Sequence, residues 1–182
     1  MKMNFARIFS PIFLLIVASC LIAQTPQRPD FSGKWVIDVS RSRDLPWLNL
    51  KEYSMQVTYD RNAEQLAIRT RLREASFAYS GQAEPKYRAT PLLNAKYTID
   101  GAEVTVQDPV ATIPVEVKQT ATWIGDQLEL RNRFEMVRDG RKHVWTTIDV
   151  WQLSADGKDL VVQQTIEARG TKQKATLVFS KQ

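Results

Sequence analysis

Glycine-bearing turns at hairpin spacing constrain this chain more than any other feature. Gly125-Asp126, Asp139-Gly140, Asp156-Gly157 and Arg169-Gly170 each separate segments in which apolar and polar residues alternate, and Asp100-Gly101 does the same earlier. Glycine accepts the positive φ that tight hairpin turns require, and period-two alternation marks a strand with one buried face. From Gly33 onward no helical period lasts beyond a turn or two. Strands are expected near Trp35 to Val39, Lys51 to Asp60, Gln65 to Leu72, Ser76 to Ser80, Ala95 to Asp100, Ala102 to Val106, Val115 to Ile124, Gln127 to Arg138, Arg141 to Ser154, Asp159 to Ala168 and Thr171 to Lys181. This is the pattern of an antiparallel all-β sandwich or barrel.

A tight turn fixes register, and register fixes which side chains share a face. A two-residue turn at Gly125-Asp126 sets Trp123 opposite Leu128, Gln119 opposite Asn132 and Val117 opposite Phe134. The turn at Asp139-Gly140 then sets Phe134 by Trp145, Asn132 by Thr147, Leu130 by Asp149 and Leu128 by Trp151. A loop from Ala155 to Lys158 puts Trp151 by Val162 and Asp149 by Gln164, and Arg169-Gly170 puts Val162 by Leu177. Every hairpin agrees on one inner face.

One end of that face, with Trp123, Leu128, Trp151, Leu153, Leu160, Leu177 and Phe179, reads as a dry plug. Midway lies a polar band of Gln119, Asn132, Thr147, Asp149 and Gln164, with His143 and Trp145 toward the far end. An unpartnered buried polar group costs about 1–3 kcal/mol, so these residues bond to one another, to enclosed water or to a ligand. They are the candidate ligand-binding residues. An inward Asp149 has a raised pKa, binds a cation or pairs with a base.

The N-terminus reads as a targeting segment. Lys2 and Arg7 precede an apolar run from Ile8 to Ile22, shorter than the roughly 20 residues of a spanning helix, as in a secretory signal peptide over 1–23. Two processing sites compete. Ala23 is a small residue before Gln24-Thr25-Pro26, whereas Val17-Ala18-Ser19-Cys20 is similar to a bacterial lipobox, whose Cys is lipidated. Export to the periplasm, the outer-membrane surface or the medium is expected, with membrane attachment only through a lipid on Cys20. Cleavage after Ala23 would remove the only Cys and leave a disulfide-free domain, 31–182, behind a 24–30 linker.

Composition narrows the chemistry. One His and one Cys are too few for the usual Cys/His zinc or two-His iron sites, and no metal or cofactor is expected. A net charge of +5, two units of it in the signal segment, does not describe a nucleic-acid binder. Arg69, Arg71 and Arg73 form a basic stripe, read as a solvated strand face.

Asp30-Phe31-Ser32-Gly33-Lys34-Trp35 resembles the G-x-W opening of the calycin superfamily, the lipocalins and fatty-acid-binding proteins. With Ser40-Arg41-Ser42, the segment from Ala121 to Leu128 and the segment from Trp151 to Lys158, it is also similar to a group of exported bacterial lipocalin-like proteins. The resemblance covers most of the chain after the signal. It implies an up-and-down β-barrel of about 8–10 strands, plugged at one end by Trp35, Trp123 and Trp151, and implies no substrate. The paired arginines and Tyr that hold a carboxylate in many fatty-acid-binding proteins have no counterpart here, so fatty-acid binding is not carried over.

Three functions compete: a non-catalytic barrel holding a small amphipathic or hydrophobic ligand; a solid barrel that interacts through its loops, with Trp47 as anchor; and an enzyme using Asp149. His143 is six residues from Asp149 on one strand, about 20 Å at strand rise, which argues against an acid/base pair.

Overall fold

A computed structural model describes residues 28–48, 50, 52–73, 76–77, 92, 94–107 and 115–182. The expected signal segment with Cys20, most of the 24–30 linker, most of the irregular stretches 80–94 and 107–114, and the side chain of Trp47 lie outside the described residues.

Among the described residues twelve strands follow one another: β1 (Gly33–Ile37), β2 (Trp47–Leu48), β3 (Glu52–Asp60), β4 (Gln65–Arg73), β5 (Ser76–Phe77), β6 (Asn94–Thr98), β7 (Val104–Gln107), β8 (Val115–Ile124), β9 (Gln127–Arg138), β10 (Arg141–Leu153), β11 (Asp159–Ala168) and β12 (Thr171–Lys181). Ten of them form one sheet in the order β6-β4-β3-β1-β12-β11-β10-β9-β8-β7, while β2 and β5 pair as a separate ribbon. All pairings are antiparallel. With no helix among the described residues to cover it, the sheet's apolar face must be buried against itself, and the sheet coils into a nearly closed up-and-down barrel. Such an architecture is compatible with a calycin-like fold.

The registers of β8 to β12 are those the glycine turns dictate. Gln119 opposes Asn132, Asn132 opposes Thr147, Asp149 opposes Gln164, and Val162 opposes Leu177. Asp139 and Gly140 both take positive φ, 51° and 70°, as the primed turns of two-residue hairpins require.

Asp100-Gly101 behaves differently from the hairpin expected there. It joins β6 to β7, yet those strands are the two edges of the sheet and do not pair. The Asp100 carboxylate accepts the Ala102 N–H, and the Gly101 N–H reaches the Ala121 carbonyl on β8 at 3.0 Å, which turns β7 away from β6 and onto β8. A seam is left between the edges, and Tyr97 spans it by donating its hydroxyl to Asn132 Oδ1 on β9 at 2.9 Å.

β1 begins and ends two residues earlier than its alternation predicts. Asp38 leaves the ladder because its carboxylate accepts the Ser40 and Arg41 N–H groups and the Arg41 guanidinium. Arg41 also reaches Asp159 and Ser180, tying this turn to β11 and β12. These bonds hold the Asp38 carboxyl down near 2. β2 has only two residues, too few to show a period.

Candidate ligand site in the barrel waist

The G-x-W segment builds the closed end. Gly33 has φ of +144°, which side-chain-bearing residues rarely adopt, and an added Cβ would stand 2.7 Å from the Lys181 side chain. The chain thereby turns Trp35 inward to complete burial, with its Nε1 donating to the Phe31 carbonyl at 2.8 Å. Phe31, also fully buried, stacks on Trp123 at 5.8 Å and meets Trp151 edge-on at 5.7 Å. Lys181 covers the Trp35 ring from outside, 5.2 Å from its centroid. Trp123 Nε1 has no hydrogen-bond partner among the described residues, the one orphan of this aromatic plug.

A second dry cluster, Val115, Val117, Phe134 and Trp145, occupies the other part of the interior, with the Phe134 and Trp145 rings stacked in parallel at 4.9 Å. Between the clusters lies a cavity of about 40 Å³. One water needs about 10–15 Å³ on this scale, so there is room for a few waters or one small headgroup.

Asn132, Thr147, Asp149 and Gln164 all line this cavity. Gln119, buried, does not line it but donates its amide to Asn132, which does, at 3.3 Å. Trp145 belongs to the second cluster, and His143 lies further out, 3.4 Å from an Arg169 guanidinium nitrogen. The opposite wall brings in Tyr53 and Thr70, and Tyr97 from β6, three polar residues the sequence reading did not single out. Their signal was present as alternation, Tyr53-Met55-Val57-Tyr59 and Leu66-Ile68-Thr70, but the pairing of these strands was not fixed from sequence.

Two hydrogen-bonded groups result. Asn132 Oδ1 accepts from Tyr97 and Gln119, and Asn132 Nδ2 reaches Thr147 Oγ1 at 3.5 Å, so this group satisfies itself. The other is incomplete. Gln164 Nε2 donates to Asp149 Oδ1 at 2.9 Å, while Gln164 Oε1, buried, accepts nothing among the described residues. Burial raises the Asp149 pKa to about 6, with the Gln164 bond opposing it, and no cationic group among the described residues contributes. Burial likewise pushes the phenols of Tyr53 and Tyr97 well above their usual value, so both stay neutral.

Among the described residues no Lys, Arg or His lines the cavity. Among the described residues no group of three or more His, Cys, Asp or Glu could hold a metal ion. The waist therefore offers one carboxyl, amide and hydroxyl groups, and aromatic faces. No protein-family model matches the chain, and no curated protein matches it in sequence.

Proposed function

We propose that this chain is an exported, non-catalytic barrel that holds a small amphipathic ligand in its waist, polar end on Asp149 and Gln164 and apolar part against the aromatic wall. The observation that carries it is the incomplete pair: among the described residues, an inward carboxyl has one hydrogen-bond partner, beside a buried amide oxygen with none. A finished core leaves neither, because each unmet buried group costs about 1–3 kcal/mol. A ligand donating to Gln164 Oε1 and Asp149 relieves both. Export rests on the segment 1–23, with the lipid on Cys20 an alternative to cleavage after Ala23.

The size of the cavity favours a second reading. Drug-sized ligands occupy pockets of about 300–1,000 Å³, so 40 Å³ between two dry clusters also suits a solid barrel acting through its surface. Native mass spectrometry of the protein purified from its exporting host, followed by extraction, separates the two. A reproducible small molecule on the wild type, lost from Gln164→Leu, is the expected result. A folded protein with a clean apo mass would establish the solid barrel instead.

A further inference from the structure

We infer that the waist selects a cation, the ammonium head of a primary or methylated amine, over neutral or anionic ligands of the same size. This rests on the waist-cavity reading above and adds the charge of the ligand. A carboxylate drawn away from water is tolerated when a cation pairs with it, and among the described residues no cation lines the cavity. Among the described residues, the groups that face Asp149 are Gln164 from β11, Thr147 from its own strand, Asn132 from β9, Tyr53 from β3 and Tyr97 from β6, all neutral. Among the described residues, Asp149 is the only charged or chargeable one of the wall apart from the two phenols. An anionic head would meet a carboxylate and, among the described residues, no guanidinium.

The remaining surface is what an ammonium needs. Tyr53, Tyr97, Phe134, Trp151 and Phe179 all contribute to the lining, and aromatic faces attract a cation through their quadrupoles, most strongly where water is excluded. Gln164 Oε1 gives a second acceptor beside the carboxylate for an N–H of the ligand. An ammonium with one or two carbons is within the size of the cavity, any longer tail leaving through its mouth. A bare metal ion is a poorer fit, since hard cations favour several charged oxygens and among the described residues no group of three or more His, Cys, Asp or Glu is available.

The test is isothermal titration of the mature wild-type protein with butylammonium, butanol and butyrate at pH 7.5. Butylammonium should bind about tenfold or more tightly than butanol, the worth of one charge-assisted contact, and butyrate most weakly. In Asp149→Asn, which keeps shape and polarity, that preference should vanish while butanol binding persists. With an Asp149 pKa of about 6, lowering the pH to 5 should weaken butylammonium binding about tenfold and leave butanol unaffected. Equal affinity for butanol and butylammonium, or a preference that survives Asp149→Asn, would overturn the cation inference while leaving the cavity reading in place. If none of the three probes binds the folded protein, both fail.

Discussion

At the closed end of the barrel Trp35 commits its one polar atom to the Phe31 carbonyl, whereas at the waist Asp149 offers several acceptor sites and has Gln164 as its hydrogen-bond partner. Both regions are enclosed by the same sheet, and both rest on neighbouring positions of the same strands, since Trp151 of the plug is two residues from Asp149. The plug is built from rings that fill space against one another. The waist sets amide, hydroxyl and carboxyl side chains among rings and leaves space between them. One region is closed by packed rings, and the other leaves a cavity beside a carboxyl whose charge its burial opposes.

The largest effect should come from breaking the plug. Trp35→Ala removes a fully buried ring and leaves the Phe31 carbonyl without its donor, and truncations of this kind cost about 3–5 kcal/mol. Urea unfolding should show a large fall in midpoint, and a loss below about 1 kcal/mol would mean that the plug is not the keystone of the core.

Asp149→Asn should move stability in the opposite direction, and only at some pH values. Burial holds the native pKa near 6, above the ordinary 3.8, so the native state binds the proton more readily between these values. The unfolded state then binds fewer protons than the native one, and stability falls as pH rises from about 4 through 6. Above that window the charged carboxylate carries the whole penalty, about 2 kcal/mol after allowing for its contact with the cavity. The variant should therefore be more stable than the wild type at pH 7.5 and equal to it at pH 3.5. A variant no more stable at pH 7.5 would show that the carboxylate is already paired.

The contrast between plug and waist was legible unevenly. Gly125, Gly140, Gly157 and Gly170 announce the turns between β8 and β12, so the inward parity of Gln119, Asn132, Thr147, Asp149 and Gln164 could be derived from register alone. The turn between β3 and β4 carries no glycine. Asp60 instead accepts the Asn62 and Ala63 N–H groups, and Glu64 itself takes a positive φ of 49°, a conformation that its side chain does not advertise. With that register unread, Tyr53 and Thr70 could not be set across from Asp149, nor Tyr97 across the seam. Whether a base faced the carboxyl was thus beyond the sequence, because the answer lies on strands far away along the chain.

Tyr97→Phe sharpens the comparison at the seam. The hydroxyl joins one edge of the sheet to β9, but Asn132 Oδ1 keeps the Gln119 donor when it is lost, so no acceptor is stranded. The expected cost is that of one net hydrogen bond, about 1 kcal/mol. Amide exchange should rise in β6 and β7 ahead of β10 to β12. Uniform exchange across the sheet would show that the seam is held by packing alone.

Lys181→Met tests the smallest of these contributions and returns to the closed end. The Lys181 ammonium lies over the outer face of the Trp35 ring while its stem covers Gly33, and methionine keeps most of that cover without the charge. Lys181 is exposed, which limits the cation–π term to about 0.5–1 kcal/mol. Because it is electrostatic and open to solvent, the loss should shrink as salt is raised, whereas the Trp35→Ala loss should not. The two variants measured in low and high salt divide the closed end into a ring whose worth is burial and a lid whose worth is charge. A Lys181→Met cost that ignores salt would place the lysine among the packing groups, acting through its stem.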